Sequence, residues 1–294
     1  MATEAALQEP VARPHHTMWG DAFIRLRKNR LAVTGAILIL VLGIAAIIIP
    51  FVSPYAYDKQ NLDAILVGPS WQHWLGTDGL GRDLFTRLIY GARTSLSVGL
   101  FTQLIVLAIG LPVGAFAGSM GGKVDNILMR LVDVMYGFPD ILFIILLRSI
   151  LGGSIYMIFL AIGLVGWVGV ARLIRGQILS LKSRDFVTAA RAFGGSTRYR
   201  TVRHLIPNSL GPIIVLVTFS VPRAIFMEAA LSYIGIGVQP PTPSWGTMIA
   251  DGYAVIFSAP YVILFPAIAI GILMLSFTFL GDGLRDALDP RLRK

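Results

Sequence analysis

The chain has no cysteine among its 294 residues. That excludes disulfides, thiolate metal sites and thiol nucleophiles, and leaves the redox compartment unmarked. Charge is scarce as well. Asp, Glu, Lys and Arg make up 14% of the residues, where a soluble domain carries about 25%. Only four histidines occur, His15, His16, His73 and His204, scattered along the chain. A membrane enzyme needs acids, bases or metal ligands converging at one depth, and so sparse a set offers none. The adjacent His15 and His16 lie in a Pro-containing polar tail and read as solvated residues. No phosphate loop is present either. The nearest candidate, Gly118-Ser119-Met120-Gly121-Gly122-Lys123-Val124, has the wrong glycine spacing and Val124 where a hydroxyl should hold Mg²⁺.

What fills the chain is apolar: 55% of residues are hydrophobic and the mean hydropathy is +0.72. The apolar residues come in blocks long enough that lipid must be their solvent, since a spanning helix needs about 20 of them. Six segments qualify: 31–53, 95–117, 131–151 with Pro139 inside, 154–171, 210–231 and 260–281. Their length favours helices, because membrane strands need only about 10 residues and alternate. The expected fold class is therefore all-α, a polytopic membrane protein with six transmembrane helices. Residues 1–30 read as an N-terminal tail, 54–94 as a loop, 95–282 as the core domain and 283–294 as a C-terminal tail. A polar stretch, 1–24, precedes the first basic cluster, and the apolar stretch behind it is too long for the core of a cleavable signal peptide.

The net charge of +9 would suggest nucleic acid in a soluble protein. Here the cations sit between apolar blocks and follow the positive-inside rule, so no nucleic acid is implied. Arg25, Arg27, Lys28 and Arg30 precede the first span, and Lys123 and Arg130 lie between the second and third. Eight cations lie between the fourth and fifth, and Arg285, Arg291, Arg293 and Lys294 follow the sixth. With six spans all four groups fall on one side, which places both termini in the cytoplasm. The opposite stretch 232–259 has no Lys or Arg. The whole stretch, rich in Gly and Pro from Gly235 to Gly246, reads as a structured loop rather than a helix or strand. It is either re-entrant or an ordinary loop with Trp245 at the headgroup level. Arg82 and Asp83 read as residues that fix the loop before the second span.

The long cytoplasmic loop 172–209 predicts a short helix, a tight turn and a second short helix. Ser183 or Asp185 can cap the first helix, Gly194-Gly195 stops it, Ser196 or Thr197 caps the second, and Pro207-Asn208 breaks the pattern before the fifth span. Such a unit is too small to hold a core alone and must pack on the spans, on a partner, or on both. Ala189, Ala190 and Gly194 are small enough to let another backbone approach. Arg191, Arg198, Arg200 and Arg203 read either as partners for acidic groups on a docking protein or as plain topological charge.

Ala189-Ala190, Gly194 four positions on, and Pro207 thirteen after that resemble the "EAA loop" of binding-protein-dependent ABC importer permeases. Thr188 stands where that family has Glu, which puts in doubt any contact made through the carboxylate. His204-Leu205-Ile206-Pro207-Asn208 is similar to the loop end of the peptide-importer branch. Gly76-Thr77-Asp78…Gly81-Arg82-Asp83, Gly91 to Leu96, Met129-Arg130…Asp133…Phe138-Pro139, Glu228 to Ser232 and Gly235 to Gly246 resemble its C-type subunit, in colinear order.

The resemblance implies a type I ABC importer permease fold in a bacterial or archaeal cytoplasmic membrane. It implies a complex with a second permease, two ATPase subunits that bind ATP and Mg²⁺, and an external solute-binding protein delivering di- or oligopeptides. The chain itself would bind no cofactor or metal and would not be an enzyme. Nickel, glutathione or an oligosaccharide remains open as the solute, and so does a self-contained secondary transporter. Three ionisable residues in or near spans stand out: Arg130 with Asp133 as an i,i+3 pair, and Glu228. The last is expected to pair with Arg223, Arg148 or a partner subunit, or to touch solute.

Overall fold

The computed structural model describes residues 18–289. His15, His16, Arg291, Arg293 and Lys294 lie outside that range. The described residues are helical, with no strand beyond an isolated bridge between Thr77 and Asp83. A short amphipathic helix, α1 (Met18–Lys28), leads into α2 (Arg30–Val52), with the Asn29 side chain accepting from the Ala32 N–H at the junction. The other long helices are α3 (Leu84–Met120), α6 (Ile155–Lys182), α9 (Ile206–Tyr233) and α11 (Tyr261–Leu288). Among the described residues five helices are long and apolar enough to cross a membrane, α9 being counted with the turns that precede it.

The third expected span, 131–151, is not one continuous helix. It divides into α4 (Gly122–Tyr136) and α5 (Asp140–Leu151). Pro139 lacks an N–H and its ring disfavours helix in the residue before it, so the chain breaks at Gly137–Pro139 and restarts at Asp140. The second span is longer than expected, because Asp83 caps α3 through the Thr86 N–H and hydroxyl at 2.8 Å each. Residues 84–94 are therefore helical.

Lipid is the only solvent that suits the outer surface. Leu40, Val41, Ile44, Ile47, Ile48 and Phe51 of α2 are all exposed. On a water-facing surface that would be an aggregation-prone patch. The 23 residues of α2 rise about 34 Å, enough to cross about 30 Å of hydrocarbon.

Between helices lipid supplies no hydrophobic drive, so close backbone approach must do the work. The α3–α6 seam shows how. Gly110, Gly114 and Gly118 form a stripe on α3. A Cβ on Gly114 would stand 2.4 Å from the Ala171 carbonyl oxygen, and one on Gly110 2.8 Å from that of Trp167. At Gly118 the neighbour is Ile178, whose Cβ would lie 2.9 Å away. Around this seam Val106, Ala115, Val170, Ile174, Ile178 and Ile213 form a buried cluster. A second cluster joins α2, α3, α9 and α11 with α10 (Trp245–Tyr253).

A Gly114→Ala chain should lose thermal stability by about 2 kcal/mol or more, because the new methyl meets a backbone atom that cannot turn aside. Gly271→Ala, where nothing lies within 4 Å, should be neutral or mildly stabilising. Thermal unfolding of both in detergent, followed by size-exclusion, checks the contrast.

Candidate coupling knob and its supports

Loop 172–209 begins within α6, which runs on to Lys182. After a short turn comes α7 (Asp185–Ala192). Neither expected residue caps it: Arg184 is the N-cap, without a side-chain hydrogen bond, and Asp185 is the first helical residue. The stop at the other end is as expected. Gly194 has φ +78°, a conformation only glycine adopts freely. Its N–H donates to the Arg191 carbonyl at 3.0 Å, and the Gly195 N–H reaches back to Ala190 at 2.9 Å. That pair of bonds is the Schellman motif, which satisfies carbonyls a helix end leaves open. Gly195 is bound as tightly, since a Cβ there would stand 2.6 Å from the Ala190 oxygen.

Ser196 then caps α8 (Thr197–Arg200), accepting from the Tyr199 N–H. Here the expected break at Pro207-Asn208 does not occur. The chain continues through a π-helical turn, Thr201–Leu205, directly into α9. The wider turn sends the Ile206 N–H to the Thr201 carbonyl. The register shift falls just before Pro207, which lies in the first turn of α9 where its missing N–H matters least. The Asn208 side chain donates to the His204 carbonyl at 2.6 Å.

The resulting knob is anchored on one face and open on the other. Val187 and Leu205 are buried against Ile174 and Ile178 of α6. Thr188, Ala189, Arg191 and Gly194 are exposed, Ala190 is half-buried, and Pro207 is exposed where α9 begins. Phe193 at the tip is 91% exposed. The sequence reading missed Phe193, although an aromatic side chain immediately before a helix-stopping Gly pair is a visible signal. Arg191, Arg198 and Arg203 make no ion pair among the described residues, and Arg200 reaches only Thr197.

Beneath the knob the helices are locked by charge. Arg175 of α6 grips Asp125 of α4 bidentately at 2.5 and 2.7 Å. Those charge-assisted bonds hold the Asp125 carboxyl below the usual carboxylate range. Lys182 donates to the Ser119 carbonyl at 2.8 Å, at the C-terminal end of α3, where a cation suits the helix dipole. Asp133 does not pair with Arg130 as expected. It binds Arg172 of α6 at 2.7 Å, and Arg130 is exposed without an ion-pair partner among the described residues. The bundle sets this choice: packing of α4 beside α6 offers Asp133 a guanidinium that also covers the Tyr136 ring at 4.3 Å.

Glu228 departs from expectation too. It is fully buried, but Arg223 binds Asp140 at 2.6 Å. Arg148 spends its guanidinium on the backbone carbonyls of Gly152, Gly153, Ser154, Ile236 and Gly237. The Glu228 carboxyl accepts instead from the hydroxyls of Ser232 at 2.6 Å and Ser95 at 3.4 Å. It thus ties α9 to α3.

The Gly/Pro stretch beyond α9 folds back on that helix. A Cβ on Gly246 would lie 2.5 Å from Ala229 Cα. The expectation of a loop throughout 232–259 fails at α10, which Ser244 and Thr247 open with a reciprocal capping box. Trp245 is buried and donates to the Leu88 carbonyl at 2.9 Å, so it packs inside the bundle rather than on an outer surface. Arg82 does fix its loop: it binds Asp78 at 2.6 Å and Asp251 of α10 at 3.1 Å. Asp83 meets His73 at 2.9 Å. Among the described residues no group of His, Asp and Glu is arranged to hold a metal.

A bundle of lipid-facing helices defines a class, the multi-pass helical membrane proteins. Comparison with known proteins gives the family. Residues 110–294 match the binding-protein-dependent transport system inner membrane component, and residues 17–69 match the N-terminal transmembrane domain of oligopeptide transport permease C. The dipeptide transport system permease protein DppC of Bacillus subtilis is 46% identical over 97% of this chain and 90% of its own length. The oligopeptide permease OppC of the same organism is 42% identical over 100% and 96%. Among solved structures, a chain of the MetNI methionine ABC transporter, in an inward-facing form, superposes with a TM-score of 0.56 at 19% identity. It covers 70% of this chain and 98% of that one. The chain belongs to the ABC importer permease family of inner membrane components. It is a permease subunit and not itself a catalyst; in this family separate subunits hydrolyse ATP.

The Asp125–Arg175 pair makes stability pH-dependent with a definite sign. The carboxyl is more acidic folded than unfolded, so its contribution is fully present above the ordinary carboxylate pKa of about 4. It is lost as pH falls through the lowered folded value. Asp125→Asn should reduce stability at neutral pH by about 1 kcal/mol and flatten the acid limb of a melting-temperature profile, measured in detergent between pH 7 and pH 3.

Proposed function

We propose that this chain is the C-type permease of a peptide importer. It would form the path for di- or oligopeptides with a second, homologous permease, and take the solute from an external binding protein. Two ATPase subunits would bind ATP and Mg²⁺ and power the cycle. On this reading the chain lies in a bacterial or archaeal cytoplasmic membrane with both termini and the α7–α8 knob on the cytosolic side, an orientation that the distribution of Lys and Arg supports. The substrate class is supported by the identity to dipeptide and oligopeptide permeases over nearly the whole chain.

One observation carries the coupling role: the knob's inner face is fixed while its outer face is apolar, basic and unpaired. Thr188, Ala189, Ala190 and Gly194 give a surface of small side chains, with Phe193 standing out from it. Arg191, Arg198 and Arg203 surround it as free donors for acidic groups on an ATPase. Pro207 sets the rigid exit into α9. When the ATPases close on nucleotide they would drag α7 and α8. Val187 and Leu205 would pass that displacement to α6 and α9, rocking the bundle between two states.

In the assembled complex, Gly194→Val forces a β-branched residue to φ +78°. Transport and solute-stimulated ATP hydrolysis should both drop at least tenfold while the permease stays in the membrane. Unchanged transport would remove the knob from the mechanism. Phe193→Ala should weaken ATPase retention on purification without lowering the chain's own melting temperature.

A further inference from the structure

Half-way along the helices lies a cavity of about 140 Å³ between α3, α4, α5, α6 and α9. A trapped water needs only about 10–15 Å³ of such space, so the cavity is far larger than one solvent molecule requires. Two polar side chains along its wall each hold an oxygen, shut off even from water, that has no partner among the described residues. Thr102 is completely buried and Gln103 is 4% exposed, yet neither Thr102 Oγ1 nor Gln103 Oε1 has a hydrogen-bond partner. Gln103 Nε2 donates to the Ser220 carbonyl at 3.3 Å. That bond leaves the amide oxygen as the free end. Buried polar atoms without partners are rare and costly, and in hydrocarbon the cost is greater still.

The rim carries opposite charges. Arg223 and Asp140 form an ion pair at 2.6 Å, with side chains 74% and 40% exposed in the isolated chain. Arg223 lies ten residues, about 15 Å of helix rise, from the end of α9 at Tyr233. Charge at such depth does not face lipid; it faces a water-filled path or another subunit. Asp140 is the first residue of α5, immediately after the break in the third span, so the discontinuity opens beside the cavity. Broken helices line solute sites in membrane transporters because their ends present unpaired backbone groups.

Resting on the peptide reading above, we propose that this cavity is a solute subsite on the translocation path. Gln103 and Thr102 hydrogen-bond a peptide backbone amide, and the Arg223–Asp140 pair opens to receive a terminal carboxylate and a terminal ammonium. As the path opens, Gln103 Oε1 turns to accept from a peptide N–H and the Thr102 hydroxyl turns to donate to a peptide carbonyl. At the rim one ion pair is exchanged for two with no change in net charge. That exchange suits a zwitterion and disfavours a solute carrying only one charge, which would leave the other partner unpaired. Such a site holds solute weakly, as a path must.

The test uses the complete complex in proteoliposomes, with a labelled dipeptide on the binding protein and ATP supplied to the ATPases. Gln103→Leu should lower peptide uptake about five- to tenfold, the loss of one buried hydrogen bond. A second measurement exploits the cysteine-free chain: Ser220→Cys places a single thiol on the cavity wall. A water-soluble methanethiosulfonate reagent should label it in the nucleotide-free complex, and dipeptide-loaded binding protein with a non-hydrolysable ATP analogue should slow labelling at least fivefold. A thiol that is never labelled, labelling indifferent to peptide, or Gln103→Leu uptake within twofold of wild type would each overturn the subsite. A wild-type complex that moves no dipeptide at all would instead overturn the peptide reading on which the subsite stands.

Discussion

The contact of α3 with α6 organises the rest of the molecule. Two helices in lipid gain nothing from hiding apolar surface, so they hold together by close packing of their backbones and by polar bonds between them. Gly110, Gly114 and Gly118 allow that approach, with the Ala171 and Trp167 carbonyls nearly touching α3. Once the seam is set, α4 lies where Asp125 and Asp133 meet Arg175 and Arg172. Lys182 then reaches the end of α3, and α7 starts three residues further on.

Each end of the bundle is stiffened by charge, but in different ways. At the α10 end Asp78, Arg82, Arg87 and Asp251 form a network whose arginines are nearly inaccessible. The Arg148 guanidinium there closes the irregular backbone around Gly152 and Gly237. These groups satisfy loop carbonyls and carboxylates that lipid would leave bare. At the α7 end the pairs run between helices, and the outermost arginines are left over. An end whose buried arginines are all bound is a closed structure, whereas one with spare guanidiniums and an exposed Phe193 has binding capacity in reserve.

Between the ends, the broken third span is where the bundle departs from simple packing. Pro139 divides it, and the space beside the break keeps Thr102 and Gln103 short of partners. A stable membrane protein would fill such a gap with aliphatic side chains. A transporter has reason to leave it open, because a solute crossing the bilayer needs polar contacts that are made and given up in turn.

Much was legible in the sequence because it depended on composition and local spacing. Lipid as solvent, helical spans and the turn at Gly194-Gly195 follow from long apolar runs and from the conformations that Gly allows. Tertiary structure alone decided which charges meet. Asp133 took Arg172 over Arg130, Glu228 reached Ser95, and Arg148 reached the carbonyls of Ile236 and Gly237, because helix packing brings together residues separated by dozens of positions. Local rules also failed where neighbours supplied an alternative. Pro207 did not end a helix, since a π turn absorbed its missing donor, and Trp245 went inward, since Gly91 and Gly246 left room beside α3 and α9. Periodicity reports which residues prefer lipid; only the assembled bundle determines which polar groups are left with no one to bind.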